Sequence, residues 1–288
     1  MGAFKKVLFL AASIAGLAGT VGTAVGADPA TGLQAARVKG DGPILDPSSP
    51  VWNSAKPVTV NMAAQTVATP QNANPSIKEM TVRSVHNGEW LGVLIEWKDP
   101  SRNDTVVVDR FGDQVAIELP VVFKPDAPAN PMMGAPGERV NIIQWRAAFQ
   151  ADLDRGRDIE VHDLYPNAVA DLYPDQVLKT IDLRPYAGAV GMDNPVAKHR
   201  ASPVLDQLAE GFGSLTVKQH QEADGKGYWR DGMWHVVITA PMGPDGANGP
   251  RLLPGANSVM AFAVWDGSEA EVGSRKAWSD WVPLSLDR

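Results

Sequence analysis

The stretch MTVRSVHNGEWLGVLIEWK, residues 80–98, decides the fold class of this 288-residue chain. Two runs rich in β-branched and aromatic residues flank the dipeptide Asn87-Gly88, the strongest short-range indicator of a β-hairpin. The stretch YWRDGMWHVVI, residues 228–238, has the same design around Asp231-Gly232. The two stretches therefore predict antiparallel strands joined by tight turns.

Further short apolar runs, among them residues 114–122 and 259–265, lie on either side of these hairpins. With 27 Gly, 23 Pro and little helical periodicity, they predict an all-β fold, an antiparallel β-sandwich with a few short helices. Residues 28–50 have no periodicity and are predicted to form an extended arm. Val204 to Ala209 are expected to form one or two helical turns. Residues 28–288 are predicted to be a single domain, with a long loop-rich insertion at about 152–213.

The first 27 residues are typical of a secretory signal peptide. Lys5 and Lys6 precede an apolar stretch from Val7 to Ala18, and small residues lead to a plausible cleavage site after Ala27. We therefore expect a periplasmic protein. No later stretch approaches 18 uninterrupted apolar residues, so no membrane span is expected in the mature chain.

Charge and cysteine content exclude several classes of protein. The formal net charge is −7. Cleavage after residue 27 removes two lysines and no acid, which leaves −9. An acidic chain of this kind is a poor nucleic-acid binder. The absence of cysteine excludes disulfides, a covalently attached c-type haem and a cysteine-ligated cluster.

A loop followed by a predicted strand, NPMMGAPGERVNIIQWRAAFQ at residues 130–150, carries the most chemical suggestion. It presents the adjacent thioethers of Met132 and Met133 within a Pro- and Gly-rich loop. Adjacent methionines usually fill gaps in a core. In a chain with no cysteine and five histidines, however, they are also among the few possible soft metal ligands.

Three stretches together resemble a known family. They are PMMGAPGERVNIIQWRA at 131–147, YWRDGMWHVVI at 228–238 and MAFAVWDGSEAEVGSRKAWSDWVPL at 260–284. The chain is similar to the haem-binding γ subunits of ethylbenzene dehydrogenase, dimethylsulfide dehydrogenase, and chlorate and selenate reductases. This resemblance covers most of the mature chain, and its first and third stretches are the most specific.

The resemblance implies a function. Such subunits are exported β-sandwich proteins that hold one non-covalent b-type haem through a methionine and a lysine. They accompany a molybdopterin catalytic subunit and an iron–sulfur subunit. The resemblance therefore implies a non-catalytic electron-transfer subunit that passes electrons between the iron–sulfur partner and a soluble carrier such as a c-type cytochrome.

The resemblance also implies site residues. The methionine ligand falls on Met133, with Met132 as the alternative, and the lysine ligand falls on Lys276. A lysine binds iron only as the free amine, which burial favours. Trp265 and Trp278, on either side of the lysine, are expected to keep the pocket dry. The strand after the methionines adds two further candidates for cofactor binding, Asn141 and Trp145.

Other interpretations remain open from the sequence. A bis-histidine haem would use His86 or His235. The nine tryptophans also suit an exported carbohydrate- or protein-binding β-sandwich module without haem. A hydrolase is disfavoured, because the chain has no G-x-S-x-G, H-E-x-x-H or P-loop motif.

Overall fold

The computed structural model describes residues 32–157, 159, 161–167, 194–197, 200–243 and 249–288. The predicted signal peptide, and much of the predicted insertion, lie outside these residues. The described chain is built mainly of strands. They are β1 Leu33–Arg37, β2 Val58–Asn61, β3 Ala63–Ala64, β4 Glu79–His86, β5 Trp90–Lys98, β6 Gln114–Pro120, β7 Val140–Arg146, β8 Val204–Ala209, β9 Thr216–Val217, β10 Asp224–Arg230, β11 Met233–Pro241, β12 Asn257–Trp265, β13 Ala277–Trp278 and β14 Val282–Leu286.

Helices are short in the described residues. The helices α1 Ala147–Arg155 and α2 Val161–Leu164 follow β7, and 3₁₀ turns lie at Pro50–Ser54, Pro195–Ala197 and Gly267–Glu269. Helix α1 is capped by Gly156, which adopts the left-handed conformation (φ 74°) that only glycine reaches easily. The prediction of an all-β fold with a few short helices is confirmed.

The two predicted hairpins are present. β4 pairs with β5 across Asn87-Gly88, and β10 pairs with β11 across Asp231-Gly232. Asp231 and Gly232 both have positive φ, 54° and 77°. This backbone shape matches the right-handed twist of the flanking strands. β5 and β11 also pair with each other along nine residues, so the two hairpins form one continuous sheet.

The sheet folds over at β12 into two layers. Residues 257–260 of β12 pair with β14, and residues 261–265 pair with β6. The first layer runs β10-β11-β5-β4-β1-β14, and the second runs β6-β7-β8-β9 from the other half of β12. The layers meet where Trp145 of β7 packs edge-on against Trp234 of β11, with ring centroids 5.0 Å apart. Such aromatic pairs add about 0.5–1.5 kcal/mol beyond the area they bury.

Two segments differ from the sequence predictions. Val204–Ala209 is strand β8, which pairs with β7 along six residues, so the expected helical turns are wrong. The expected N-terminal arm contains β1, which inserts between β4 and β14 and runs parallel to both. The sheet is therefore mixed, although the remaining registered strand pairs in the described chain are antiparallel.

Candidate functional site

A cleft lies on the outer face of the second layer. Side chains alternate along β6, so Val115, Ile117 and Leu119 enter the main core while Ala116 belongs to a separate outer cluster. On the same outer face, Ala261 and Ala263 of β12 line the cleft. Because these residues are small, the sheet surface leaves room for a ligand between it and the loops that cover it.

The cleft encloses about 500 Å³, with a side pocket of about 40 Å³. The larger volume falls in the range of about 300–1,000 Å³ that is usual for ligand and cofactor sites. Residues common to both parts are Gln65, Ile142, Phe212, Trp265 and Lys276. Met133 and Arg146 line the main cleft, whereas Met132, Glu118 and Trp278 line the side pocket.

The loop that carries Met132 and Met133, called the methionine loop, is held in an unusual backbone conformation. Met133 has φ 69°, in the left-handed region that a residue with a side chain seldom adopts. Its carbonyl accepts a hydrogen bond from the Gly211 amide at 2.7 Å, and the next amide, of Gly134, donates to the Asn130 carbonyl at 2.8 Å. A Cβ on Gly134 would lie 2.3 Å from the carbonyl oxygen of Glu138. The turn therefore requires glycine after Met133, and it places Met133 against the outer cluster.

The Lys276 amine is enclosed, although the residue as a whole is only partly buried. Its nitrogen lies 5.5 Å from the centroid of the Trp265 ring. Burial lowers the pKa of Lys276, and the charge of Glu118 opposes that shift. Burial likewise raises the pKa of Glu118, and the charge of Lys276 opposes it. The surroundings thus favour an amine closer to its neutral form than a lysine in water.

Two tryptophans are fixed around the lysine by their indole N–H groups. Trp265 donates to the Gly273 carbonyl at 3.0 Å, and Trp278 donates to the Ala64 carbonyl at 3.0 Å. Satisfied indole groups leave the apolar ring faces free to form the wall. The structure therefore brings Met133, Met132, Lys276, Trp265 and Trp278 to one cleft.

Asn141 and Trp145 are not brought to the cleft. They project from the face of β7 opposite to Ile142, Gln144 and Arg146. The Asn141 amide donates to Asp206 at 2.6 Å and to the Gln207 carbonyl at 2.8 Å. Trp145 is fully buried against Trp234 between the layers. Both positions are explained by core packing and hydrogen bonding.

The sequence analysis missed two charged residues of the site, Arg146 and Glu118. Nε of Arg146 and Oε1 of Glu118 are buried and have no hydrogen-bond partner among the described residues. Burial and the nearby charge of Arg200 lower the pKa of Arg146 to about 10. A single charged residue within a largely apolar strand, as in VAIELP and NIIQWR, was the signal available for both.

The two histidines of the alternative haem site lie elsewhere. His86 is fully buried in β4, and its Nε2 contacts the Asp287 carbonyl at 2.9 Å. His235 lies on β11, where it contacts Glu96 at 2.8 Å and stacks on Tyr228. Neither lines the cleft. The geometry gives no support to a bis-histidine site.

The fold and the cleft coincide with a family match. The chain belongs to the ethylbenzene dehydrogenase family, whose model matches residues 49–277. This match includes the methionine loop, both hairpins and Lys276, and it confirms the resemblance inferred from the sequence.

Two curated relatives cover most of the chain. One, from Haloferax mediterranei, is named "Putative respiratory nitrate reductase heme subunit ORF7"; it is 26% identical over 265 residues, 90% of this chain and 76% of the relative. The other, from Ideonella dechloratans, is named "Chlorate reductase subunit gamma"; it is 23% identical over 249 residues, 84% of this chain and 80% of the relative.

Solved structures give weaker likenesses. A family 9 carbohydrate-binding module from Caldicellulosiruptor kristjanssonii in complex with glucose has a TM-score of 0.40 at 11% identity, covering 89% of this chain and 96% of that one. A structure named "putative carbohydrate-binding protein" from Bacteroides uniformis has a TM-score of 0.43 at 9% identity, covering 88% of this chain and 98% of that one. These likenesses are too weak to assign a ligand to this chain.

In the part of the chain that the structure describes, no helix is long and apolar enough to cross a membrane.

Proposed function

We propose that this chain is an electron-transfer subunit that holds one non-covalent b-type haem, with Met133 and Lys276 as the axial ligands. The observation that carries the proposal is that Met133 and Lys276, which lie far apart in the sequence, line the same cleft of about 500 Å³. The names of the two curated relatives, a haem subunit and a γ subunit of reductases, support the same reading.

The residues present fit a haem. The methionine thioether donates through sulfur and the lysine amine through nitrogen, and both suit iron. Methionine ligation favours the ferrous state. The small alanine side chains on the sheet surface and the face of the Trp265 ring suit packing against a flat apolar ring. Arg146 suits the carboxylates at the ring edge, because its buried Nε has no partner among the described residues.

Lys276 must lose its proton to bind iron. Enclosure of its amine already lowers the pKa of Lys276, so the fold supplies part of that cost before any ligand binds. The charge of Glu118 attracts the protonated amine and opposes loss of its proton, whereas burial favours that loss. We infer that the iron is bound by the neutral amine.

The bound haem would supply one-electron transfer at its iron. If Met133 and Lys276 both held the iron, no position would remain there for substrate, so this chain would serve as an electron carrier without a catalytic centre of its own. We further propose that it works beside a molybdopterin catalytic subunit and an iron–sulfur subunit, and exchanges electrons with a soluble carrier such as a c-type cytochrome.

The proposed location is the periplasm, with the signal peptide cleaved near Ala27. We also propose that residues 28–288 act as one haem-binding domain, with the insertion at about 152–213 available to meet a partner. Edman sequencing of the mature protein tests the first point: an N-terminus at Asp28 is expected, and an intact Met1 would contradict it.

The alternative of a carbohydrate-binding module is disfavoured by the tryptophans. Such modules display aromatic rings on an exposed face. All nine tryptophans of this chain are described, and none is among the exposed large apolar side chains. Those that surround Lys276 are fixed by indole hydrogen bonds.

Haem quantitation and an optical spectrum of the purified protein test the proposal. We expect one extractable b-type haem per chain and a low-spin spectrum. Lys276→Ala should lose the low-spin spectrum while its far-ultraviolet circular dichroism stays that of the wild type. The matched control is Lys78→Ala, an exposed lysine that contacts Asn74. A protein without haem, or an unchanged spectrum in Lys276→Ala, would overturn the ligand assignment.

A further inference from the structure

Three buried aspartates converge at one end of the sandwich, apart from the haem cleft. Asp99 follows β5 in the first layer, Asp113 precedes β6, and Asp266 follows β12 in the second layer. Gln114 and Trp265 are paired across β6 and β12, so Asp113 and Asp266 lie just beyond neighbouring ends of these two adjacent strands. The three side chains are 1%, 0% and 4% exposed. The cluster therefore lies where the two layers meet, closed off from water.

One carboxylate oxygen from each aspartate lies within 4.8 Å of the other two. Within the described residues, none of the three forms an ion pair with a lysine, arginine or histidine. Burying carboxylates together without a counter-charge is strongly unfavourable. Three ionised carboxylates buried together require a counter-charge, and none of the described residues supplies one.

A second observation concerns the hydrogen bonds. Oxygens of Asp113 and Asp266 accept bonds from backbone amides, Trp234 and serine hydroxyls. Asp99 differs, because Ser101 satisfies only its Oδ1 while its Oδ2 is buried without any partner among the described residues. The indole N–H of Trp97 acts on Asp99 as a weak donor that lowers its pKa, but neither this N–H nor Oδ2 of Asp99 reaches full hydrogen-bond geometry with any described residue. Buried acceptors are rarely left unpaired in this way.

We propose that Asp99, Asp113 and Asp266 bind one hard divalent cation of the Ca²⁺ class. The donors are all carboxylate oxygens, with no nitrogen or sulfur, and hard cations such as Ca²⁺ prefer oxygen ligands. Ca²⁺ also tolerates irregular coordination better than Mg²⁺ does. Bound there, the cation would satisfy Oδ2 of Asp99 and link the first layer to the second.

Terbium luminescence tests the site, because Trp234 donates directly to Asp113 and its indole can sensitise a lanthanide bound there. The chelator-treated full-length protein should show tryptophan-excited Tb³⁺ emission that Ca²⁺ displaces. In thermal unfolding, Ca²⁺ should raise Tm, and Tm should continue to rise with the logarithm of the Ca²⁺ concentration. Calorimetry should give one Ca²⁺ per chain.

The matched variants are Asp99→Asn and Asp231→Asn. Asp99→Asn keeps the acceptor for Ser101 and removes the charge, so it should fold and lose both the Tb³⁺ emission and the Tm shift. Asp231→Asn changes an exposed turn aspartate and should respond as the wild type does. Wild-type protein that shows neither emission nor a Tm shift at millimolar Ca²⁺ would overturn the proposal. So would an Asp99→Asn variant that keeps both. Should Asp99→Asn fail to fold, Asp113→Asn and the wild-type stoichiometry decide in its place.

Discussion

Gly227→Ala should damage the packing between the two layers. A Cβ added to Gly227 of β10 would lie 2.5 Å from Cζ2 of Trp145 and 3.0 Å from Cγ2 of Val236. The Trp145 ring has no free space to move into, because it is fully buried and packs against Trp234. Overpacking of this kind costs about 1–3 kcal/mol of unfolding free energy. In a domain of this size each kcal/mol lowers Tm by about 2–4 °C.

The assay is thermal and denaturant unfolding of Gly227→Ala beside Gly243→Ala. Gly243 has ordinary φ, and a Cβ there would meet no atom of the described residues within 4 Å, so its substitution should change stability by less than about 0.5 kcal/mol. The haem spectrum of folded Gly227→Ala should match the wild type, because Trp145 faces the core and not the cleft. Equal stability of the two variants would refute the packing argument, and a changed spectrum would return Trp145 to the cofactor site.

Three further outcomes are expected. Arg146→Gln should release haem to an acceptor protein about 10–100-fold faster than the wild type. This rate ratio is the equivalent of about 1.5–3 kcal/mol for a lost charged hydrogen bond. The control Arg83→Gln alters only the pair with Glu96 and should release haem at the wild-type rate. His86→Gln should reduce the loss of stability on acidification. Burial lowers the pKa of folded His86, so the unfolded chain binds the proton first. Wild-type stability therefore falls as pH drops below about 6.5. A wild-type minus variant difference that is flat across that pH range would contradict this. Gly134→Ala should destabilise the methionine loop and lower haem content, since its Cβ would lie 2.3 Å from the Glu138 carbonyl oxygen; normal haem content would show that the turn does not set the methionine position.

Local signals in the sequence predicted the hairpins well. Asn87-Gly88 and Asp231-Gly232 demand positive φ at their turns, and the flanking strands have no competing helical pattern. The run Val204–Ala209 was ambiguous, because six apolar and polar residues suit either a helical turn or a strand. Pairing with β7 decided the outcome, and such a contact has no local signature. β1 was missed for the same reason, since among the described strands it pairs with β4 and β14, from distant parts of the chain.

The site could be predicted only in part. The family resemblance pointed to Met133 and Lys276, and the structure places both at one cleft. Asn141 and Trp145 were candidates because they lie in the strand after the methionines, but neighbouring strand residues face opposite sides, so one position decides between cleft and core. Arg146 occupies the cleft side of the same strand. The side of β7 on which Arg146 lies follows from the inward packing of Trp145 against Trp234, a long-range contact with no local sequence signal.

X-ray absorption at the iron edge tests the central claim most directly. The haem-loaded wild type should show one sulfur ligand to iron, together with nitrogen ligands. Met133→Leu should lose that sulfur, and Met132→Leu should keep it. A wild-type spectrum with no sulfur ligand would contradict the account, as would a sulfur that persists in Met133→Leu and disappears in Met132→Leu.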